Sequence, residues 1–173
     1  MQSIQRSRVT ALALLLALCA SFLLPALGGV PSVQAAGIIN LTALNTTYSE
    51  TFDSLASTGT ANTAVPDGWS FAEAGTNANA LYRAGTGSDN GGDTYSFGPS
   101  GSSERAFGGL QSGSLIPTIG AQFVNNTGAT VESLTVAYRG EQWRLGQNTA
   151  GRAADRLDFQ ISIDATSLTT GSW

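Results

Sequence analysis

Two short stretches carry the residues best suited to chemistry. The first is Glu141-Gln142-Trp143-Arg144, where a carboxylate and a guanidinium flank an indole. An indole face can lie against the apolar C–H face of a sugar ring while charged neighbours bond its hydroxyls. Trp143, Glu141 and Arg144 are therefore the candidate ligand-binding residues. The same pattern also fits a surface carboxylate paired with Arg139 or Arg144. The second stretch is the turn-rich run from Gly85 to Asp93. Asp89, Asn90 and Asp93 offer hard oxygen ligands there, which makes them candidate calcium ligands, although the run departs from the EF-hand pattern. It also fits an ordinary glycine-rich connection. As a phosphate cradle it lacks the P-loop lysine, and its two carboxylates repel an anion.

Other chemistries fall away on composition. The chain has no His and no Lys, and Cys19 is its one cysteine. Serine or cysteine nucleophiles lack their base, and zinc lacks its usual ligands. Carboxylate glycosidase chemistry has candidates in Glu104, Glu132 and Glu141, but no spacing singles out two of them. The expectation is a protein that is not an enzyme and takes no cofactor other than calcium. Trp69, Trp143, Tyr82 and Tyr95 fit either a stacking platform or core positions. Arg139, Glu141, Arg144, Arg152, Asp155, Arg156 and Asp158 are dense for so charge-poor a chain and predict a salt-bridged sheet face.

Residues 1–35 have the order of a secretory signal peptide. Arg6 and Arg8 precede an apolar run from Val9 to Leu27, and Val33-Gln34-Ala35 offers the small residues of a cleavage site. The expected mature domain is 36–173, secreted or held at the cell surface. All eight basic residues are Arg, two of them in the leader, against twelve acids, so the mature part carries a net charge of −6. That charge is a poor match for nucleic acid or anionic lipid. With no cysteine left, the domain must hold together by its core. A chain of this length buries about 68% of its unfolded surface, enough for one domain.

The elements that must position these residues are short strands. Alternation predicts them at Ile38–Thr42, Tyr48–Phe52, Trp69–Phe71, Leu81–Ala84, Thr94–Phe97, Arg105–Phe107 and Ile119–Val124. Leu134–Tyr138 reads as the strongest of all, with a bulge at Gly140, and Leu157–Asp164 alternates cleanly. Pro66-Asp67-Gly68 is a turn, and Gly108-Gly109 and Gly113 read as breaks. No segment of the mature chain holds a helical apolar period. About nine or ten strands predict an all-β, antiparallel β-sandwich, jelly-roll-like. The final loop leads to Trp173 as though another strand were starting, so the domain is expected to be incomplete at that end.

Six stretches together resemble a known region. They are Glu50–Leu55, Pro66–Trp69, Asp93–Gly98, Ser103–Leu110, Gly140–Arg144 and Asp155–Phe159. As a set, covering about Tyr48 to Trp173, they are similar to the N-terminal β-sandwich region of large bacterial exported proteins. Such proteins carry PEP-CTERM sorting tails, lamin-tail or immunoglobulin-like modules, or a nuclease or phosphatase domain. The resemblance implies no catalytic or ligand residues. It leaves two expectations: a non-catalytic module for adhesion or glycan binding, with a polysaccharide or cell-surface glycan as partner, or an accessory domain of a secreted hydrolase.

Overall fold

The computed structural model describes residues 33–35, 37–145 and 155–173. The expected signal peptide as far as residue 32, and the stretch 146–154 with Arg152, lie outside them. Among the described residues every regular element is a strand, and none is a helix long and apolar enough to cross a membrane. In chain order they are β1 (Val33–Ala35), β2 (Ile39–Leu41), β3 (Trp69–Ala74), β4 (Tyr82–Gly85), β5 (Asp93–Phe97), β6 (Ala106–Leu110), β7 (Ile116–Ala121) and β8 (Phe123–Asn125). They form sheets of order β1-β3-β7, β2-β8 and β4-β5-β6. The residues before the expected cleavage point thus pair with β3, Val33 opposite Ala72 and Ala35 opposite Ser70.

The ladders are mixed rather than uniformly antiparallel. β1/β3, β3/β7 and β5/β6 run antiparallel, while β2/β8 and β4/β5 run parallel. A parallel neighbour requires the chain to return along the strand before re-entering the sheet. Between β4 and β5 that return is made by Thr86–Gly92, whose seven residues reach about 24 Å, ample for a four-residue strand. The turn-rich composition of this loop serves that crossover.

The two three-stranded sheets share an aromatic core. Phe71 of β3 meets Tyr82 of β4 edge-on at 5.9 Å and Phe107 of β6 at 6.1 Å. Leu55 completes the buried cluster, with Phe52, Val65, Trp69 and Ile119 packed around it. Edge-to-face rings suit their quadrupoles and add about 0.5–1.5 kcal/mol each beyond the area buried. The Tyr82 hydroxyl donates to the Ala64 carbonyl at 2.7 Å and accepts from the Ala56 N–H at 3.0 Å, pinning the long β2–β3 connection over the core. Polar groups lie between the sheets as well. The Glu73 carboxylate of β3 accepts from Thr94 of β5, and the Arg105 guanidinium, buried and held below its usual range by desolvation, donates from Nε to Ser96 Oγ at 2.8 Å.

Several expected elements come out differently. Tyr48–Phe52 is not a strand: the Glu50 carboxylate accepts from the Phe52 N–H at 2.7 Å, and Phe52 sits at φ 67°. A side chain bonding the backbone two residues on competes with a ladder. Gly108-Gly109 lies inside β6 instead of breaking it, opposite Tyr95 and Thr94. Gly108 leaves room for the Phe97 ring of β5, and Gly109 for Pro117 of β7 on the other face. Among the described residues Leu134–Tyr138 and Leu157–Asp164 join no ladder, the chain bending at Ile163-Asp164, so Gly140 has none in which to bulge. The turn at Pro66–Gly68 forms as expected, the Trp69 N–H donating to the Pro66 carbonyl at 3.0 Å.

Candidate ligand-binding site

The site begins on the outer face of β5. Period-two alternation turns Thr94 and Ser96 toward the space between the sheets and leaves Asp93, Tyr95 and Phe97 on the other face. Their rings stack at 4.9 Å with 15° between planes. Register places Gly108 opposite and Arg83 beside Tyr95, and Ala106 opposite and Gly85 beside Phe97, so each ring has a glycine on one side. Trp143 continues the ladder, 6.2 Å from Phe97 and nearly parallel at 7°. Tyr95 is buried, while Phe97 and Trp143 are half-buried. The Trp143 indole N–H donates to Glu141 Oε2 at 3.0 Å, which fixes the ring's rotation in its plane.

Segment 141–145 reaches this face through the crossover loop. Arg144 Nη1 donates to the carbonyl oxygens of Gly87, Ser88 and Asp89 at 3.3, 3.2 and 2.9 Å, and Nη2 donates to Asn90 Oδ1. The two stretches singled out in the sequence are therefore one place. Gly87 makes the approach close: at φ +83° it sits where a Cβ would fall on the Trp143 carbonyl oxygen. The Tyr95 hydroxyl ties the loop down by donating to the Gly91 carbonyl at 2.9 Å, and burial pushes the phenol above its usual pKa.

The three calcium candidates have different surroundings. Asn90 Oδ1 is taken by Arg144, the Asp93 carboxylate pairs with Arg83, and Asp89 is exposed. Oxygens of the loop surround a guanidinium of the chain itself. Among the described residues no three acidic side chains converge as a metal-binding group. Trp69 and Tyr82, offered for stacking, belong to the core region, Trp69 meeting Phe52 at 4.6 Å. Glu104, Glu132 and Glu141 are exposed on three separate segments. Among the described residues the dense charge run lies in no strand; within it Arg156 pairs with Asp158 at 2.8 Å. An open depression lined by Asn125, Gly128, Ala129, Thr130 and Val131 contains none of the candidates.

Phe97 and Glu73 were missed by the sequence reading. Alternation of Tyr95 with Phe97 was the signal for the first; nothing in the local sequence marks the second.

Asp93 gives a pH dependence. Desolvation raises its carboxyl above the ordinary 3.8, the Arg83 hydrogen bond opposes this, and the Glu73 charge adds to the rise. With the folded pKa above the unfolded one, Asp93 contributes stability in full below the unfolded value, and that contribution is lost as pH rises through the folded value. The melting temperature of the native chain relative to Asp93→Asn should therefore be higher near pH 3 than near pH 7, by thermal melts of both at the two pH values.

No protein-family model, curated protein or solved structure matches this chain.

Proposed function

We propose that this chain is an exported, non-catalytic β-sandwich module of jelly-roll type that binds glycans at the cell surface or in the matrix. The observation that carries the reading is Trp143: an indole lying flat on Phe97, its N–H bonded to the exposed Glu141. A flat ring held in one orientation loses little freedom when a sugar stacks on it, and low ordering cost favours binding. Glu141 is placed to accept from sugar hydroxyls beside the ring. The acidic balance of the chain favours neutral polysaccharides over anionic ones, which it repels. The leader-like start supports export, and two sheets sharing one aromatic core support the sandwich.

The test is a panel of neutral and anionic polysaccharides, soluble and insoluble, against the full chain in affinity electrophoresis and pull-down. Retardation by at least one neutral polymer, competed by its oligosaccharides, is the expected result. Absence of binding across the panel would overturn the reading.

A further inference from the structure

The tracts 134–138 and 157–163 have the alternation of half-buried strands and none of the burial. Leu134, Val136, Tyr138, Leu157, Phe159 and Ile161 are each more than half exposed, and Ile163 is fully exposed at 101%. Their combined surface is on the order of 800 Å², above the few hundred Å² that a monomer usually leaves as one apolar patch. The tracts touch through Tyr138 and Phe159, whose rings stack at 6.1 Å. Among the described residues no backbone–backbone hydrogen bond engages either tract. An apolar stripe along an unpaired backbone is a template for strand addition.

The sequence of the second tract specifies its own partner. In Arg156-Leu157-Asp158-Phe159-Gln160-Ile161-Ser162-Ile163-Asp164, antiparallel pairing of two copies about Gln160 sets Arg156 opposite Asp164 at both ends. The same register sets Leu157 opposite Ile163, Phe159 opposite Ile161 and Asp158 opposite Ser162. Every apolar residue then meets an apolar one on one face and every charge meets an opposite charge or a hydroxyl on the other. Moving the centre to Ile161 puts Asp158 opposite Asp164, moving it to Asp158 puts that carboxylate opposite itself, and moving it to Phe159 puts Arg156 opposite Ser162 and forfeits both ion pairs. A slip of the opposite residue by one position turns the apolar set to the wrong face. Within one copy Arg156 now pairs with Asp158, an exposed pair worth little on its own, while Asp164 sits in a bend and accepts from Ser162 and Ser172, so pairing requires that end of the tract to straighten. Leu168 packs where a Cβ on Gly120 of β7 would fall, which moors the tract beside the core.

We infer that this face is a homodimer surface: residues 156–164 pair antiparallel with the same residues of a second copy, in the register centred on Gln160. The two-fold axis passes through the Gln160 pair and closes the assembly, so no open chain of copies grows from it.

Sedimentation of the protein as its producing cell delivers it should give a dimer with a dissociation constant of about 10 µM. Arg156→Asp alone and Asp164→Arg alone each place two like-charge pairs in the dimer and should weaken it roughly tenfold or more. The double swap should restore it to within about threefold of the native value. In a Cys19→Ser background, Gln160→Cys should form a disulfide-linked dimer, its Cα atoms lying about 5 Å apart across the axis. Ser162→Cys should not, because the same residue of the second copy lies about 13 Å away. This second measurement reads the register even where Asp164→Arg disturbs the bonds Asp164 accepts from Ser162 and Ser172. A monomer at about 100 µM, a double swap without rescue, or cross-linking at Ser162 instead of Gln160 would each overturn the inference.

Discussion

Replacing Glu73 by alanine is expected to lower the unfolding free energy by about 4 kcal/mol. Glu73 is 1% exposed and its carboxylate accepts three hydrogen bonds. Oε1 accepts from the Thr94 N–H and the Thr94 hydroxyl, both at 2.8 Å, and Oε2 accepts from the Asn79 N–H at 3.0 Å. The Thr94 N–H keeps a second acceptor in Asp93 Oδ1 at 2.9 Å, but the hydroxyl and the Asn79 N–H are orphaned. Two orphaned donors cost about 1–3 kcal/mol each, and the cavity adds to that. Glu73→Gln keeps the volume, yet either amide rotamer points its NH₂ at a donor, so about 2 kcal/mol should go there too. Urea unfolding with an unchanged slope is the measurement. A loss under about 1 kcal/mol for Glu73→Ala would show that water replaces the carboxylate at these donors.

Gly87→Ala should separate the site from the fold. The new Cβ would fall on the Trp143 carbonyl oxygen and lie 2.8 Å from its carbon, at a backbone φ of +83°. Backbone cannot yield as a side-chain tip does, so segment 141–145 must leave the loop. Trp143 then leaves Phe97, and Arg144 leaves the carbonyls it now bonds. The expected results are collapse of the near-UV circular dichroism from the stacked ladder and a loss of glycan affinity of tenfold or more, about 1.4 kcal/mol. The core, which Gly87 does not touch, should lose only the 1–2 kcal/mol of the strained backbone. Gly101→Ala is the control: its φ is +76° but open space surrounds it, so it carries the strain without the clash.

Much of the fold was legible, and what was not follows from what alternation can report. A period of two says that a segment suits a half-buried sheet surface; it does not supply a partner. For β3 and β5 the partners exist, and Phe71, Tyr95 and Phe97 lie where their parity put them. For Leu134–Tyr138 and Leu157–Asp164 the same signal is as clean, yet each lacks a ladder within the described residues. Tyr48–Phe52 failed for a local reason, since Glu50 caps the Phe52 N–H two residues on. The parallel pairing of β4 with β5 was hidden because Gly85–Asp93 read as turns, and turn residues serve a hairpin or a crossover alike.

The candidate stretches stood out by residue type and their meeting did not. Trp143, Glu141 and Arg144 were singled out as ligand-binding candidates, and Asp89, Asn90 and Asp93 as calcium candidates. Nothing in either stretch says that Arg144 reaches back 54 residues to Asn90. Nor does the sequence show that Tyr82 lies in the core while Trp143 lies outside it, because both are aromatic residues in alternating surroundings.

The most direct test of the glycan reading is isothermal titration of whichever neutral polysaccharide the panel retains, against the native chain and Trp143→Ala. The indole stands outside the core, so the variant should melt within about 2 °C of the native chain. The account predicts a loss of binding of at least tenfold, about 1.4 kcal/mol, with the melting temperature so preserved. Equal affinity of the two proteins would contradict it, and would place the ligand somewhere other than the ladder of Tyr95, Phe97 and Trp143.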